Sequence, residues 1–327
     1  MKRLASLLLA LTLLLSLAAC GGKITPDTKD GTNPPQSESN KDEGKTDENE
    51  MPSTDEETTD ESETSSTDEE IAGENEIPFT EVVAVDNAEC SIKITGIEPD
   101  NMWGFTLKAQ LENKSTDKTY MFAVESAAIN GVQCNSPFAT EVAAGKKSNE
   151  KISFSDDEIE ENGVGDYTDI ELTFRVYDSN DWGADAVAEE TIHVYPYGED
   201  KAVQFVREAQ ASDNVLIDNE YVTVIVTGYE EDEIWGYTVN LFLLNKTDKN
   251  VMFSVDEASV NGFMANPIYA TSVSAGKCAF SPLSWSDSVL EENGITEIEE
   301  IEFNFRAYNA DDWLGDDFAN ETITLNP

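Results

Sequence analysis

The sequence predicts an all-β protein made of two tandem copies of a two-sheet sandwich, each copy carrying one short helix. Three observations lead there. A stretch over residues 103–122, WGFTLKAQLENKSTDKTYMF, returns over residues 235–253 as WGYTVNLFLLNKTDKNVMF. Apolar and polar residues alternate along much of each copy with the period of a half-buried strand. Between these runs sit clusters of Asn, Asp, Gly and Ser, the residues that tight turns need.

The echo runs well beyond the central stretch. Asp86-Asn87 matches Asp218-Asn219, Asn130-Gly131 matches Asn261-Gly262, and Ala144-Gly145-Lys146 matches Ala275-Gly276-Lys277. Asn162-Gly163 matches Asn293-Gly294, and Asp181-Trp182 matches Asp312-Trp313. The offset is 132 residues up to Lys114 and 131 after it, so one residue is missing from a turn. Roughly four aligned positions in ten are identical over a repeat of more than a hundred residues, which means tandem domains rather than a solenoid. The expected organisation is a signal segment over 1–19, a lipidated Cys20 with a disordered acidic linker to 76, a domain over 77–196, a connector over 197–213 and a second domain over 214–327.

Taken in order, residues 1–20 have a positive start at Lys2 and Arg3, an apolar run over 8–17, and an end in Leu17-Ala18-Ala19-Cys20. The apolar part is short for a membrane span and has the layout of a secretory signal. Its Leu-Ala-Ala-Cys ending resembles the bacterial lipobox. That resemblance implies cleavage before Cys20 and diacylglycerol on its thiol, an anchor worth about 0.8 kcal/mol per buried CH2. Residues 21–76 carry 19 acids against 4 lysines and almost no apolar side chains, so they are expected to stay disordered as an extended tether.

In the first repeat, residues 79–85 read as a strand. Cys90, Ile92 and Ile94 alternate with polar neighbours, and Phe105, Leu107, Ala109 and Leu111 alternate with Thr106, Lys108, Gln110 and Glu112. Residues 113–117 form a turn, 120–124 return as a strand, and Asn130-Gly131 signals a tight hairpin because both tolerate positive φ. Residues 151–154 give another strand. Ser155 is placed to cap a helix over 156–161, which Asn162-Gly163 ends. Strands over 170–177 and 190–195 complete the copy. Seven to nine short strands with this spacing build a sandwich of immunoglobulin-like architecture, without the paired cysteines around a tryptophan that mark antibody domains.

The lipobox, acidic spacer and repeated Trp-Gly…Asn-Lys-Ser/Thr…Met-Phe domains together resemble Gram-positive cell-surface lipoproteins with tandem Ig-like repeats. The resemblance implies fold and location, and brings no established activity with it.

The formal net charge is −47, and from residue 78 onward 48 Asp and Glu face 14 Lys and Arg. Such a surface repels nucleic acid and anionic headgroups, so no nucleic-acid partner is expected. Divalent cations and basic partners remain compatible with it. Catalysis is poorly supplied. The single histidine, His193, falls on the polar side of a strand and reads as a solvated residue, so no His-based triad or His-rich zinc site can be built. An enzyme is not expected, nor a cofactor.

Among the remaining cysteines, Cys90, Cys134 and Cys278 have no counterparts in the opposite copy, and no C-x-x-C is present. Small buried thiols are the preferred reading, with a Cys90–Cys134 disulfide as the alternative. Asn113-Lys-Ser and Asn245-Lys-Thr fit a glycosylation pattern but are read as turns.

Two kinds of surface are candidates for binding. The repeated Asp-Trp loops gather Asp178, Asn180, Asp181 and Asp185 in the first copy and Asp311, Asp312 and Asp316 in the second. Calcium takes six to eight oxygens, which such loops offer, although Trp182 and Trp313 stand where an EF-hand loop would place ligands. An acidic hairpin with its tryptophan packed on the sandwich edge is the preferred reading. With Trp103 and Trp235, these tryptophans also suggest an aromatic platform for a glycan. The second surface is a patch, since Phe242 and Leu244 stand where the first copy has Gln110 and Glu112. Residues 201–209 are rich in apolar side chains and are expected to cover that patch and fix the interdomain angle. The alternative is a partner-binding face.

The expectation is therefore a lipid-anchored extracytoplasmic protein displaying two Ig-like domains for non-enzymatic interaction. Its partners would be the membrane, through the lipid, and a cell-surface protein or glycan. Cation or glycan binding at the Asp-Trp loops is the alternative.

Overall fold

The computed structural model describes residues 77–327, except residues 182, 233–235 and 268. Cys20 and the acidic stretch, together with Trp182 and Trp235, lie outside the described residues. Within them, each copy has nine strands and one helix in the same order. The first copy holds β1 (Val82–Asp86), β2 (Cys90–Asn101), β3 (Gly104–Asn113), β4 (Tyr120–Ile129), β5 (Val132–Cys134), β6 (Ala139–Val142), β7 (Lys147–Phe154), α1 (Asp156–Glu161), β8 (Ile170–Asp178) and β9 (Ala188–Val194). The second holds β10 (Asn214–Asp218), β11 (Val222–Asp232), β12 (Gly236–Asn245), β13 (Val251–Val260), β14 (Phe263–Met264), β15 (Ala270–Val273), β16 (Cys278–Trp285), α2 (Asp287–Glu292), β17 (Ile301–Asn309) and β18 (Ala319–Leu325).

In each copy two antiparallel sheets face each other. The order β1-β2-β3-β7 packs against β5-β4-β8-β9 with β6 on β4, and the second copy repeats this as β10-β11-β12-β16 against β14-β13-β17-β18 with β15 on β13. The alternation read from the sequence is the alternation of burial, except at Thr106, which is fully buried with its hydroxyl bonded to the Gly104 carbonyl and Ser153 Oγ. Phe105, Leu107, Ala109 and Leu111 are buried, while Lys108, Gln110 and Glu112 are half-buried on the other face. A bulge between Ile94 and Gly96 switches the phase of β2, so the inward series Ile92, Ile94 continues as Ile97. Each fully buried Ile, Leu or Phe contributes roughly 1.5–3 kcal/mol relative to exposure.

Local chemistry follows the turn residues. Asn130 and Gly131 adopt φ of 53° and 86°, and Asn261 and Gly262 repeat this at 52° and 80°, as a primed two-residue hairpin requires. Helix α1 spans the expected residues and ends at Gly163, whose φ is 64°. Ser155 stands at the N-cap without a side-chain cap bond. The first-turn carboxylate Asp156 Oδ1 instead accepts from Phe105 N at 3.1 Å and from Tyr167 Oη at 2.9 Å, tying the helix to β3 and the 163–169 loop. The two sequon asparagines are fully buried. Asn113 Nδ2 donates to the Lys118 and Val142 carbonyls, and Asn245 Nδ2 to those of Lys249 and Val273, so both amides fasten turns.

Cys90, Cys134 and Cys278 are free. Cys90 opposes Asn113 at one end of the first sandwich, whereas Cys134 opposes Ala127 toward the other, so the alternative of a Cys90–Cys134 bridge is not met. A disulfide needs Cα atoms within about 7 Å.

One pairing joins the copies. Strand β16 of the second sandwich lies parallel to β5 of the first, with Cys278 opposite Val132 and Ala279 opposite Gln133. A front sheet of one sandwich and a back sheet of the other thereby become a single nine-stranded sheet. Among the described residues every other strand pair is antiparallel.

Candidate interaction surface

The apolar face of the junction is built from side chains that the two copies do not share. The outward face of the second copy presents Ile225, Phe242, Leu244, Cys278 and Phe280, and all five pack with the first copy's core. The corresponding first-copy residues are Lys93, Gln110, Glu112, Lys147 and Asn149. Phe242 is only 6% exposed. The Arg207 guanidinium lies 5.5 Å from its ring centre, and the Phe280 ring is 5.3 Å away. Phe205 meets Phe280 edge-on at 6.0 Å. Arg207 is itself held by two 2.7 Å bonds to Asp213, whose carboxyl is drawn down to about 2 by that guanidinium.

Polar bonds fix the register. The Asn130 carbonyl accepts from Phe205 N at 2.8 Å and from Gln204 Nε2 at 2.9 Å. Gln133 clamps β15 and its neighbour, donating to the Ser272 carbonyl and accepting from Ser274 N at 2.8 Å. Lys277 Nζ reaches Glu171. His193 is exposed, as expected, and has acidic neighbours. Its Nδ1 lies 2.7 Å from Asp169 and its Nε2 3.3 Å from Glu171, with the ring stacked on Tyr195, so it belongs to the same cluster.

Beside the junction runs an open groove of about 900 Å³ whose lining includes Cys134, Ser136, Phe138, Glu158 and Phe280. Ser136 Oγ is buried there without a hydrogen-bond partner. Burial raises the Glu158 carboxyl and pushes the Cys134 thiol up to about 12, which leaves that thiol protonated and unreactive at neutral pH. No nucleophile–base pair is formed here.

The candidate loops occupy the sandwich ends. Trp103 sits in the β2–β3 hairpin, 69% exposed beside Met102 at 84%. The loop after β8 lies at the opposite end, where Asn87 Nδ2 donates to the Val187 carbonyl beside the β1–β2 turn. Strand β2 separates the two, roughly 35 Å at about 3.3 Å per residue, so Trp103 and the loop of Asp181 do not form one platform. Trp313 is 52% exposed and its neighbour Leu314 77%. The Trp313 chain is held by Arg306, which donates to its carbonyl and to Asp317, lowering the Asp317 carboxyl. Asp178 accepts from Asn180 N, which lowers it in turn. Asp181, Asp185, Asp311, Asp312 and Asp316 are solvent-facing. Among the described residues no group of three or more His, Cys, Asp or Glu side chains is disposed to hold a metal ion.

No family model matches the sequence, and no curated protein matches it. Solved structures similar to it include the YadV chaperone, at 11% identity over 67% of this chain and 92% of that one, with a TM-score of 0.21. Red sea bream transglutaminase is similar at 11% identity over 74% and 31% of the two chains, with a TM-score of 0.20. The CsuC–CsuE chaperone–tip adhesion subunit pre-assembly complex of Acinetobacter baumannii is similar at 11% over 67% and 90%, also at 0.20. The fold that the topology defines is all-β, two tandem Ig-like sandwiches with one short helix each. Among the described residues no helix is long and apolar enough to cross a membrane.

Proposed function

We propose that the chain is a lipid-anchored extracytoplasmic protein that presents its two Ig-like sandwiches as a non-enzymatic interaction module. The anchor rests on the Leu17-Ala18-Ala19-Cys20 ending of the N-terminal segment. The observation that carries the interaction reading is the set of large apolar side chains at exposed ends of an otherwise acidic surface. Met102 and Trp103 are adjacent at one hairpin, and Trp313 and Leu314 are adjacent at one loop. Isolated exposed apolar residues are ordinary, whereas paired aromatic and aliphatic side chains supply the anchors that interfaces use. With the tether giving reach and the membrane giving high local concentration, two displayed domains can engage two sites.

Two measurements test this. Cys20→Ala should release the protein from the membrane fraction; retention of the variant would remove the anchor from the reading. Cross-linking in native cells with C-terminally tagged full-length protein should give one stoichiometric partner. That partner should be lost in the double variant Trp103→Ser, Trp313→Ser. A bait that is abundant yet captures nothing would count against the interaction role.

A further inference from the structure

The junction inside this chain shows how the repeat captures a strand, and the second copy repeats the capturing edge with no further strand paired to it among the described residues. In the first copy, the outer edge of β5 receives β16 in parallel, and Glu171 on β8 receives Lys277 just ahead of it. The corresponding edge in the second copy is β14, at the end of its sheet, with Phe263 and Met264 51% and 64% exposed. The pairing register behind it is the same. Met264 opposes Ser259, which opposes Glu302, as Gln133 opposes Ala128, which opposes Glu171. Asn261 holds the hairpin as Asn130 does, through the backbone of Glu297, Glu299 and Glu300. The edge residue and the cover differ: Met264 replaces the Gln133 that clamps Ser272 and Ser274, and among the described residues no connector lies over the hairpin. A Cβ on Gly131 would strike Gln204 of the connector at 1.5 Å, whereas one on Gly262 meets nothing within 4 Å.

We infer that the β14 edge, with Glu302 beside it, is a docking site for an extended segment of another polypeptide. That segment adds in parallel and carries a basic residue immediately before small and aromatic apolar residues. Three features choose this occupant. The segment that fills the matching edge in this chain reads Lys277-Cys278-Ala279-Phe280. The surroundings of β14 are acidic, with Glu297, Glu299, Glu300 and Glu302 on the adjoining chain, so a basic lead residue is complementary. A second copy of this chain does not fit, because the matching face of its first domain is the polar set that includes Gln110, Glu112, Lys147 and Asn149. The affinity would come from main-chain bonds along the edge, and the specificity from the basic residue and the apolar contacts with Phe263 and Met264. This inference rests on the interaction reading above and adds a second docking surface to the Trp103 and Trp313 loops.

The test uses the full chain and a fluorescent peptide of residues 274–285, SAGKCAFSPLSW, kept reduced and followed by anisotropy. Saturable binding is expected. It should weaken by about tenfold or more when Met264→Glu adds charge and removes apolar contact at the edge. Val83→Glu, at an exposed apolar site on the first sandwich, should leave it unchanged. A peptide with Lys277→Glu should bind poorly to the unaltered chain and recover on the Glu302→Lys chain, a rescue that misfolding cannot produce. Absence of saturable binding, or binding indifferent to Met264→Glu, would overturn the inference. So would concentration-dependent self-association of the chain abolished by Met264→Glu, since that would seat a second copy on the edge. If cross-linking in cells still captures a partner while the peptide fails to bind, the docking edge is wrong and the interaction role stands.

Discussion

Lys277 of the second sandwich places its ammonium 2.5 Å from the Glu171 carboxylate of the first, with both side chains about four-fifths shielded from water. Its repeat counterpart, Lys146, is exposed at the surface of the first copy. The same residue in the same motif is thus an interdomain contact in one copy and a solvated side chain in the other. Lys277→Ala should cost about 1–2 kcal/mol, between the values for exposed and buried pairs. Lys146→Ala should stay within about 0.5 kcal/mol of the parent. Urea unfolding of both variants checks this, and equal effects would show that the ion pair contributes nothing to the junction.

Glycine supplies a second matched comparison. Gly131 and Gly262 both hold positive φ, so alanine costs about 1 kcal/mol of backbone strain at either. Only at Gly131 does the new Cβ collide with Gln204. Gly131→Ala is expected to swing the Gln204 amide aside, break its bond to the Asn130 carbonyl and modestly speed proteolysis between residues 203 and 212. Gly262→Ala should lose stability with no change in connector cleavage.

The buried face of the second copy can be given the first copy's residue. Phe242→Gln removes a ring packed against Phe280 and Arg207 and is expected to cost about 3 kcal/mol. Differential scanning calorimetry should then resolve two transitions where the parent shows one, because the sandwiches lose their coupling while each keeps its own core. A single transition shifted down as a whole would mean that the five-residue face is not what couples them.

The connector should respond to acid. Asp213 is held at about 2, below its ordinary 3.8, chiefly by its bonds from Arg207. A carboxyl with a lowered folded pKa contributes fully above its unfolded value and loses that contribution as pH falls through its folded value. The clamp should therefore hold above about pH 4 and weaken between about 4 and 2. Hydrogen exchange of the amides of residues 204–213 should rise over that window, and Asp213→Asn should abolish the pH dependence while loosening the segment at neutral pH.

Much of this architecture was legible from residue order. The repeat, the inward series Phe105-Leu107-Ala109-Leu111, the Asn-Gly hairpin and helix 156–161 each follow from a period or a turn requirement that one short window contains. Strand ends were less legible. Residues 120–124 read as a strand that in fact runs to Ile129, because its later residues Ala127 and Ala128 are small and carry little hydropathic contrast. The fusion of two sheets had no local signature, since two parallel pairs at Cys278 and Ala279 leave no periodicity. Its trace was in the comparison of copies. Phe242 and Leu244 showed two of the five substituted positions, and extending the comparison to Ile225, Cys278 and Phe280 would have outlined the whole face. Ser155 takes the expected N-cap position without its side-chain bond, and the acidic neighbours of exposed His193 lie too far along the chain to be read locally.

The uneven division of polarity between the copies also orders their manufacture. Synthesis runs from the N-terminus, so the copy with Lys93, Gln110, Glu112, Lys147 and Asn149 outermost emerges first and can wait in water without exposing an apolar face. The copy bearing Ile225, Phe242, Leu244, Cys278 and Phe280 emerges only after the β5 edge and the connector that cover it already exist. A chain with the two copies exchanged would hold a sticky face open for the whole time its cover was being made, and domains left in that state are the ones that aggregate.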